Sequence, residues 1–212
     1  MKNQTTTFTI GNFANIAAFL RRGGIGVLPT DTTLGFSCDC ANPAAVAALQ
    51  EIKGRARSKP FLLLCGNLQI AQSVVCLSIF AKNLIRKILQ AGESCTVILP
   101  RKAGVLPAFF PREKCLAVRI PPEKNLQNFL ENFWKKPLVS TSVNLAGQQC
   151  ATDFASVEKI FAGKNLLLFR GQNFVATRPS TILKIMGTNF QLLREGNLLK
   201  NKIELLAREI LQ

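Results

Sequence analysis

A chain of 212 residues with 48% hydrophobic content is long enough to bury a sizeable core, and one α/β domain over residues 1–212 is the expected organisation. Its apolar runs, such as Ile16–Leu20 and Phe61–Cys65, break far short of the ~20 residues that a membrane span needs, so no transmembrane helix is expected. Lys and Arg number 27 against 12 Asp and Glu, and the resulting +15 is spread over every quarter of the chain, which points to polyanions such as nucleotides and RNA.

The opening MKNQTTTFTIGN lacks the basic-then-apolar order of a secretory signal, which points to the cytoplasm. Residues 12–22 place Phe13, Ile16, Ala17 and Leu20 at helical spacing behind Asn12 as a cap, and Gly23-Gly24 stops the helix. Ile25–Leu28 reads as a strand, and Thr30–Gly35 after it as a functional loop with turn chemistry and no period. Asn42-Pro43 caps and opens a helix that runs to about Lys53. A basic loop leads into the strand Phe61–Cys65. The helix Ser78–Gln90, the strands Thr96–Leu99 and Leu116–Ile120, the helix Asn125–Lys135 and the strand Leu138–Thr141 follow. The loop Ser142–Ala151, a helix near Asp153–Phe161, strands near Leu166–Phe169, Thr181–Ile185 and Phe190–Leu193, and a helix from about Lys202 complete the chain. Strands alternating with helices predict a mixed sheet with helices packed on it, its closing strands antiparallel.

Three loops carry candidate chemistry. Lys53-Gly54-Arg55-Ala56-Arg57-Ser58-Lys59-Pro60 sets four cations in seven residues after a helix. Two such charges ~4 Å apart repel by about 4 kcal/mol at an effective dielectric near 20, so their convergence calls for an anion such as a triphosphate. A solvated basic loop at a helix C-terminus is the alternative. Ser140-Thr141-Ser142-Val143-Asn144-Leu145-Ala146-Gly147 is a hydroxyl-rich loop at the exit of a strand, where ligands of open α/β sheets bind, although Ser, Asn and Gly also make ordinary turns. Pro29-Thr30-Asp31-Thr32-Thr33-Leu34-Gly35 offers Asp31 as an acceptor for a substrate amine or as a general base, or else a cap for the next element. Pro179-Ser180-Thr181-Ile182 and Leu193-Arg194-Glu195-Gly196 add hydroxyls and a guanidinium.

The chain contains no histidine, which excludes Ser-His and Cys-His nucleophile systems. Gly23-Gly24-Ile25-Gly26 lacks the lysine and the spacing of a P-loop. Seven cysteines form an odd set without a CxxC pair, and with no histidine and no second thiolate pair a structural zinc is not expected. Positioning and charge stabilisation remain as the catalytic strategy.

Taken in order, PTDTTLGF, KGRARSKPF, CTVILP, LAVRIP, KPLVSTSVNLAG, RPSTI and LLREG resemble the YrdC-like (TsaC-type) threonylcarbamoyl-AMP synthases over nearly the whole chain, in their short single-domain form. The resemblance implies a twisted mixed parallel and antiparallel α/β sheet with flanking helices and a basic concave surface. It places Lys53, Arg55, Thr96, Ser142, Asn144 and Arg194 at ATP, and Thr32, Arg119 and Ser180 at L-threonine, with Thr30, Asp31, Ser140 and Thr152 as further candidates. It implies ATP with Mg2+, bicarbonate and L-threonine as reactants, pyrophosphate as a product, and a separate transferase complex that passes the threonylcarbamoyl group to tRNA. No metal ligand is assigned to a protein side chain. Three departures stand out: Leu34 replaces an aromatic residue, which implies different packing at the threonine site; Ala91–Cys95 replaces a WPGP stretch, which implies a looser loop; and a histidine near the amino acid pocket has no counterpart.

Two other readings remain. A basic RNA-binding module without catalysis would use the same charge, although no Tyr and a single Trp are available for base stacking. Carbamoyl-adenylate chemistry, as in larger hydrogenase-maturation proteins with a YrdC-like domain, would normally come with zinc-finger cysteine pairs.

Overall fold

The computed structural model describes residues 12–54, 61–107, 110, 114–145, 148–161, 166–170 and 178–211, together with the backbone of residues 6–9. The strands are β1 (Thr6–Thr9), β2 (Ile25–Pro29), β3 (Leu34–Asp39), β4 (Leu62–Leu64), β5 (Cys95–Pro100), β6 (Cys115–Arg119), β7 (Leu138–Ser142), β8 (Leu166–Arg170), β9 (Thr181–Met186) and β10 (Asn189–Arg194). They form one sheet in the order β1-β8-β2-β3-β7-β4-β6-β5-β9-β10. The ladder is mixed: β4–β6 and β5–β9 run parallel, whereas β2–β3, β3–β7, β4–β7, β5–β6 and the closing pair β9–β10 run antiparallel.

The helices start where the sequence supplies caps. In α2 (Pro43–Lys53) the Asn42 side chain accepts from Ala45 N–H at 3.0 Å, and Pro43 opens the helix without wasting a donor. Gly54 ends it at φ 58°, a left-handed conformation that glycine adopts without steric cost. In α4 (Ile79–Gln90) Ser78 Oγ accepts from Ala81 N–H at 3.1 Å. In α1 (Phe13–Arg21) the expected Asn12 cap makes no side-chain capping bond; its carbonyl instead accepts from Ile16 N–H at 3.0 Å.

Four elements differ from the sequence reading. β1 and the short α3 (Leu68–Gln72) were not expected. Nor was β3, which occupies the second half of the expected loop 30–35 and continues beyond it. The helix expected over Asn125–Lys135 is α5 (Lys124–Asn128) followed by a π-helical segment, Phe129–Trp134, that closes on Lys135 at φ 63°. Beyond these, α6 (Phe154–Ile160) starts on an Asp153 cap, and α7 (Lys200–Leu211) closes the chain.

Alternation along the strands separates two faces. On one, Phe36, Cys38, Leu63, Val97, Leu99, Val118, Val139 and Leu183 are buried with Leu49 of α2, Phe80, Leu84 and Ile88 of α4, Val157 of α6 and Ile203 of α7. On the other, Leu28, Leu64, Leu138, Leu167 and Phe169 are buried under Phe13, Ile16 and Leu20 of α1, Leu126 of α5, and Phe129, Leu130 and Trp134. This second cluster ends at β4. Across β6, β5 and β9 the residues on the same face, Ala117, Ile98 and Ile182, are only half-buried.

Candidate functional site

A groove of about 290 Å3 opens on that less covered face. Its floor comes from alternate strand residues: Gly35 of β3, Leu62 of β4, Ala117 and Arg119 of β6, Thr96 of β5 and Ile182 of β9. Its walls come from strand ends and the turns beyond them, including Thr30, Thr32 and Thr33 after β2, Ser140, Thr141 and Ser142 of β7, Ser180 before β9 and Arg194 at the end of β10. Gly35 is needed there, because a Cβ would lie 2.9 Å from Ser140 Oγ. Gly196 is needed too, because a Cβ would lie 1.9 Å from Pro179 O and displace the turn that carries Ser180.

The turn after β2 is stitched by hydroxyls. Thr30 Oγ1 donates to Thr33 O at 2.7 Å, accepts from Thr32 and Thr33 N–H at 3.2 Å, and lies 3.2 Å from Thr32 Oγ1. Arg119 Nη1 donates to Thr32 Oγ1 at 3.0 Å, and Arg119 Nε lies 3.6 Å from Asp31 Oδ1. The second oxygen of Asp31 accepts from Ser94 Oγ. At the other end of the groove, Arg194 Nε and Nη2 both donate to Ser180 O, at 3.0 and 2.6 Å, and Ser180 Oγ lies 2.8 Å from Thr96 Oγ1. Burial, and then the positive charge of Arg119, lower the pKa of Arg194. Two guanidiniums therefore share one partly desolvated groove, where a bound anion would offset their mutual repulsion.

Lys53, 3% exposed, approaches from behind the loop that follows β7. Its Nζ donates to Ser142 O at 2.7 Å and to Asn144 Oδ1 at 2.5 Å. Ser142 Oγ donates to the same Asn144 oxygen at 2.6 Å, and Asn144 Nδ2 donates to Leu145 O and Gln148 O. The lysine thus holds the loop in shape, a role that spacing alone did not suggest.

Of the residues singled out in the sequence, Thr30, Thr32, Thr96, Arg119, Ser140, Ser142, Ser180 and Arg194 line one groove. Lys53 and Asn144 join it through Ser142. Arg55 and the rest of the basic loop, residues 55–60, lie outside the described residues, as do Ala146 and Gly147. Four positions lie elsewhere or pack otherwise than the sequence suggested. Asp31 is not among the lining residues, and its two oxygens face Ser94 and Arg119. Thr152 is exposed, with its hydroxyl 3.5 Å from Asp153 Oδ2, and does not line the groove. Leu34 packs into the fully covered face, so its departure from an aromatic residue does not reach the groove. Nor is the segment Ala91–Cys95 loose, since Glu93 pairs with Lys202 at 2.8 Å and Ser94 is tied to Asp31. Sequence reasoning missed Leu62, Ala117 and Cys150 in the lining. For the first two the signal was available, because each alternates with a buried apolar neighbour on its strand.

Residues 18–196 match the family model for Sua5, YciO and YrdC proteins, described as telomere recombination. The chain belongs to this family. Within the Sua5/YciO/YrdC proteins it is similar to the threonylcarbamoyl-AMP synthase of Vibrio vulnificus, at 29% identity over 88% of this chain and 100% of that one. Its fold resembles that of P. abyssi Sua5 complexed with L-threonine, with a TM-score of 0.83 at 22% identity over 96% of this chain. It also resembles E. coli YciO, with a TM-score of 0.80 at 21% identity over 92% of this chain and 97% of that one. This chain spans 60% of the Sua5 protein.

Proposed function

We infer that this Sua5/YciO/YrdC protein is an L-threonylcarbamoyladenylate synthase that acts as a nucleotidyltransferase on ATP, L-threonine and bicarbonate. The observation that carries the reading is the groove itself: Arg119 and Arg194 converge at strand ends among the hydroxyls of Thr32, Thr96, Ser140, Ser142 and Ser180. The name of the Vibrio relative, matched along its whole length, supports the same reaction.

Arg119, set by Thr32 and Asp31, would take the carboxylate of threonine through a planar, charge-assisted pair. Thr96, Ser142, Asn144 and Arg194 would hold ATP, with Lys53 shaping the loop on which Ser142 and Asn144 sit. The threonine amine forms a bond to the carbon of bicarbonate, a C–O bond breaks and water leaves, giving a carbamate. A carbamate oxygen then attacks the α-phosphorus of ATP, the bond from that phosphorus to the bridging oxygen breaks, and pyrophosphate leaves with the electron pair. The groove supplies proximity and cationic stabilisation of the leaving group. Its described lining has two guanidiniums and no carboxylate, which suits the anion and does not by itself fit a Mg2+ site. Magnesium would accordingly arrive on the triphosphate.

On this reading the protein works in the cytoplasm and hands its product to a separate transferase that modifies tRNA, with basic surface available for RNA. The test is pyrophosphate release from Mg-ATP and bicarbonate with L-threonine, with L-serine and with no amino acid. Release that depends on threonine supports the synthase; no release, with salt-sensitive RNA binding in its place, overturns it.

A further inference from the structure

Arg194 reaches the groove through a break in strand pairing. Between β9 and β10 the register runs Phe190↔Ile185, Gln191↔Lys184 and Leu192↔Leu183, and then shifts so that Arg194 faces Ile182. Leu193 is the extra residue, and it is exposed. In unbroken alternation Arg194 would follow Phe190 and Leu192 to the face packed by α4 and α7. The bulge moves it by one place, to the face of Ile182, where it lines the groove.

The chain beyond the bulge is tied back to the start of β9. Thr181 is fully buried, and its hydroxyl bonds to that chain with its full capacity. Its Oγ1 donates to Leu198 O at 2.6 Å and accepts from Gly196 N–H at 2.9 Å and from Leu198 N–H at 3.2 Å. Asn197 N–H donates to Pro179 O at 3.1 Å. Two residue steps separate Leu183 from Thr181 on β9, whereas four separate Leu192 from Gly196 on the facing chain. The tie at Gly196 therefore holds surplus chain between two fixed points, and the bulge takes up part of it.

We propose that Thr181 is a positioning residue for the nucleotide: its hydroxyl fixes the bulge at Leu193 and so keeps Arg194 in the groove. The proposal rests on the reading that places ATP at Arg194. Thr181 is not among the groove's lining residues, so it reaches the nucleotide only through the chain it holds.

Calorimetric titration with ATP, which needs no turnover, tests this together with steady-state kinetics. Thr181→Val keeps the shape of the side chain and loses the hydroxyl. It is expected to weaken ATP about tenfold in Kd and KM, while the KM for L-threonine stays within about twofold of the parent. Thr181→Ser keeps the hydroxyl and should bind ATP within about twofold of the parent. Combined with Arg194→Ala, Thr181→Val should add nothing to the loss of ATP affinity, since one acts through the other. If the valine variant does not fold, Thr181→Cys, whose thiol is a weak donor, takes its place and should show an intermediate loss. Unchanged ATP affinity in the variant that folds, an equal rise in the threonine KM, a serine variant as weak as the valine one, or full additivity with Arg194→Ala overturns the proposal. Parent protein that binds no ATP defeats the nucleotide reading and the proposal with it. Parent protein that binds ATP no better than Thr181→Val does defeats the proposal alone.

Discussion

The two faces of the sheet are made by the same strands and differ in what covers them. On the face packed by α2, α4, α6 and α7, alternate residues such as Phe36, Leu63, Val97, Val118 and Leu183 are sealed in one continuous apolar cluster. On the opposite face, α1, α5 and the π-helical segment reach only as far as β4, and from there the alternate residues are Ala117, Arg119, Thr96 and Ile182. On β6, β5 and β9, therefore, one parity is packed into the core and the other lines the groove. A neighbour in sequence is thus a poor guide to role: Val118, packed in the core, adjoins Arg119, which is set into the groove.

The largest effect that would break this division is expected at Arg119. Arg119→Ala leaves Asp31 buried beside a lost cation, which costs about 3–5 kcal/mol of stability, and threonine-dependent turnover falls by roughly a thousandfold. Denaturant titration together with steady-state kinetics checks both. Truncation on the sealed face should separate the two quantities. Leu63→Ala is expected to cost about 2–5 kcal/mol in the denaturation midpoint, while kcat/KM per folded molecule is preserved. Lys53→Ala should do the reverse, keeping the fold while turnover drops about a hundredfold, equivalent to ~2.7 kcal/mol, because the loop with Ser142 and Asn144 loses its anchor. Ile182→Ala on the open face is expected to cost about 1 kcal/mol, well below Leu63→Ala, because a half-buried side chain surrenders less apolar contact.

The mildest probe is the thiol set. Burial pushes the Cys95 thiol up to about 12 and Cys40 up to about 11, and Cys38 and Cys65 are raised further for the same cause. All four lie in the sealed cluster, whereas Cys150 lines the groove and Cys76 is exposed. An aromatic disulfide reagent at neutral pH should therefore label Cys76 and Cys150 quickly in the native protein and the four buried thiols only on unfolding. The sign of the pH effect follows. A thiol kept neutral in the fold and ionising near 9.0 when unfolded favours the folded state below that pH, and for Cys95 this contribution is lost as pH rises from 9.0 towards about 12.

Much of this arrangement was legible in the sequence. Caps and breakers marked α2 and α4, because Asn42-Pro43, Gly54 and Ser78 act locally. Apolar runs ending in proline marked β5 and β6. β3 was hidden because LGFSCD adjoins the turn Thr30–Thr33, although its Leu-Phe-Cys alternation was the available signal. The π-helical segment could not be read from spacing, since Phe129, Leu130 and Trp134, which are buried with residues of α1, would also suit an α-helix. In the site, residue types announced Arg119, Arg194 and the hydroxyls, but not their division of labour. The pairing of Asp31 with Ser94 and Arg119 joins three separate segments of the chain, and no local pattern encodes it.

The central claim is that the open face joins threonine, bicarbonate and ATP, and isotope tracing tests it most directly. Purified protein given Mg-ATP, L-threonine and 13C-bicarbonate should yield a threonylcarbamoyl-adenylate whose mass carries a single 13C, formed in step with pyrophosphate. Pyrophosphate released alongside an adenylate that carries no label, or no adenylate at all, would contradict the account.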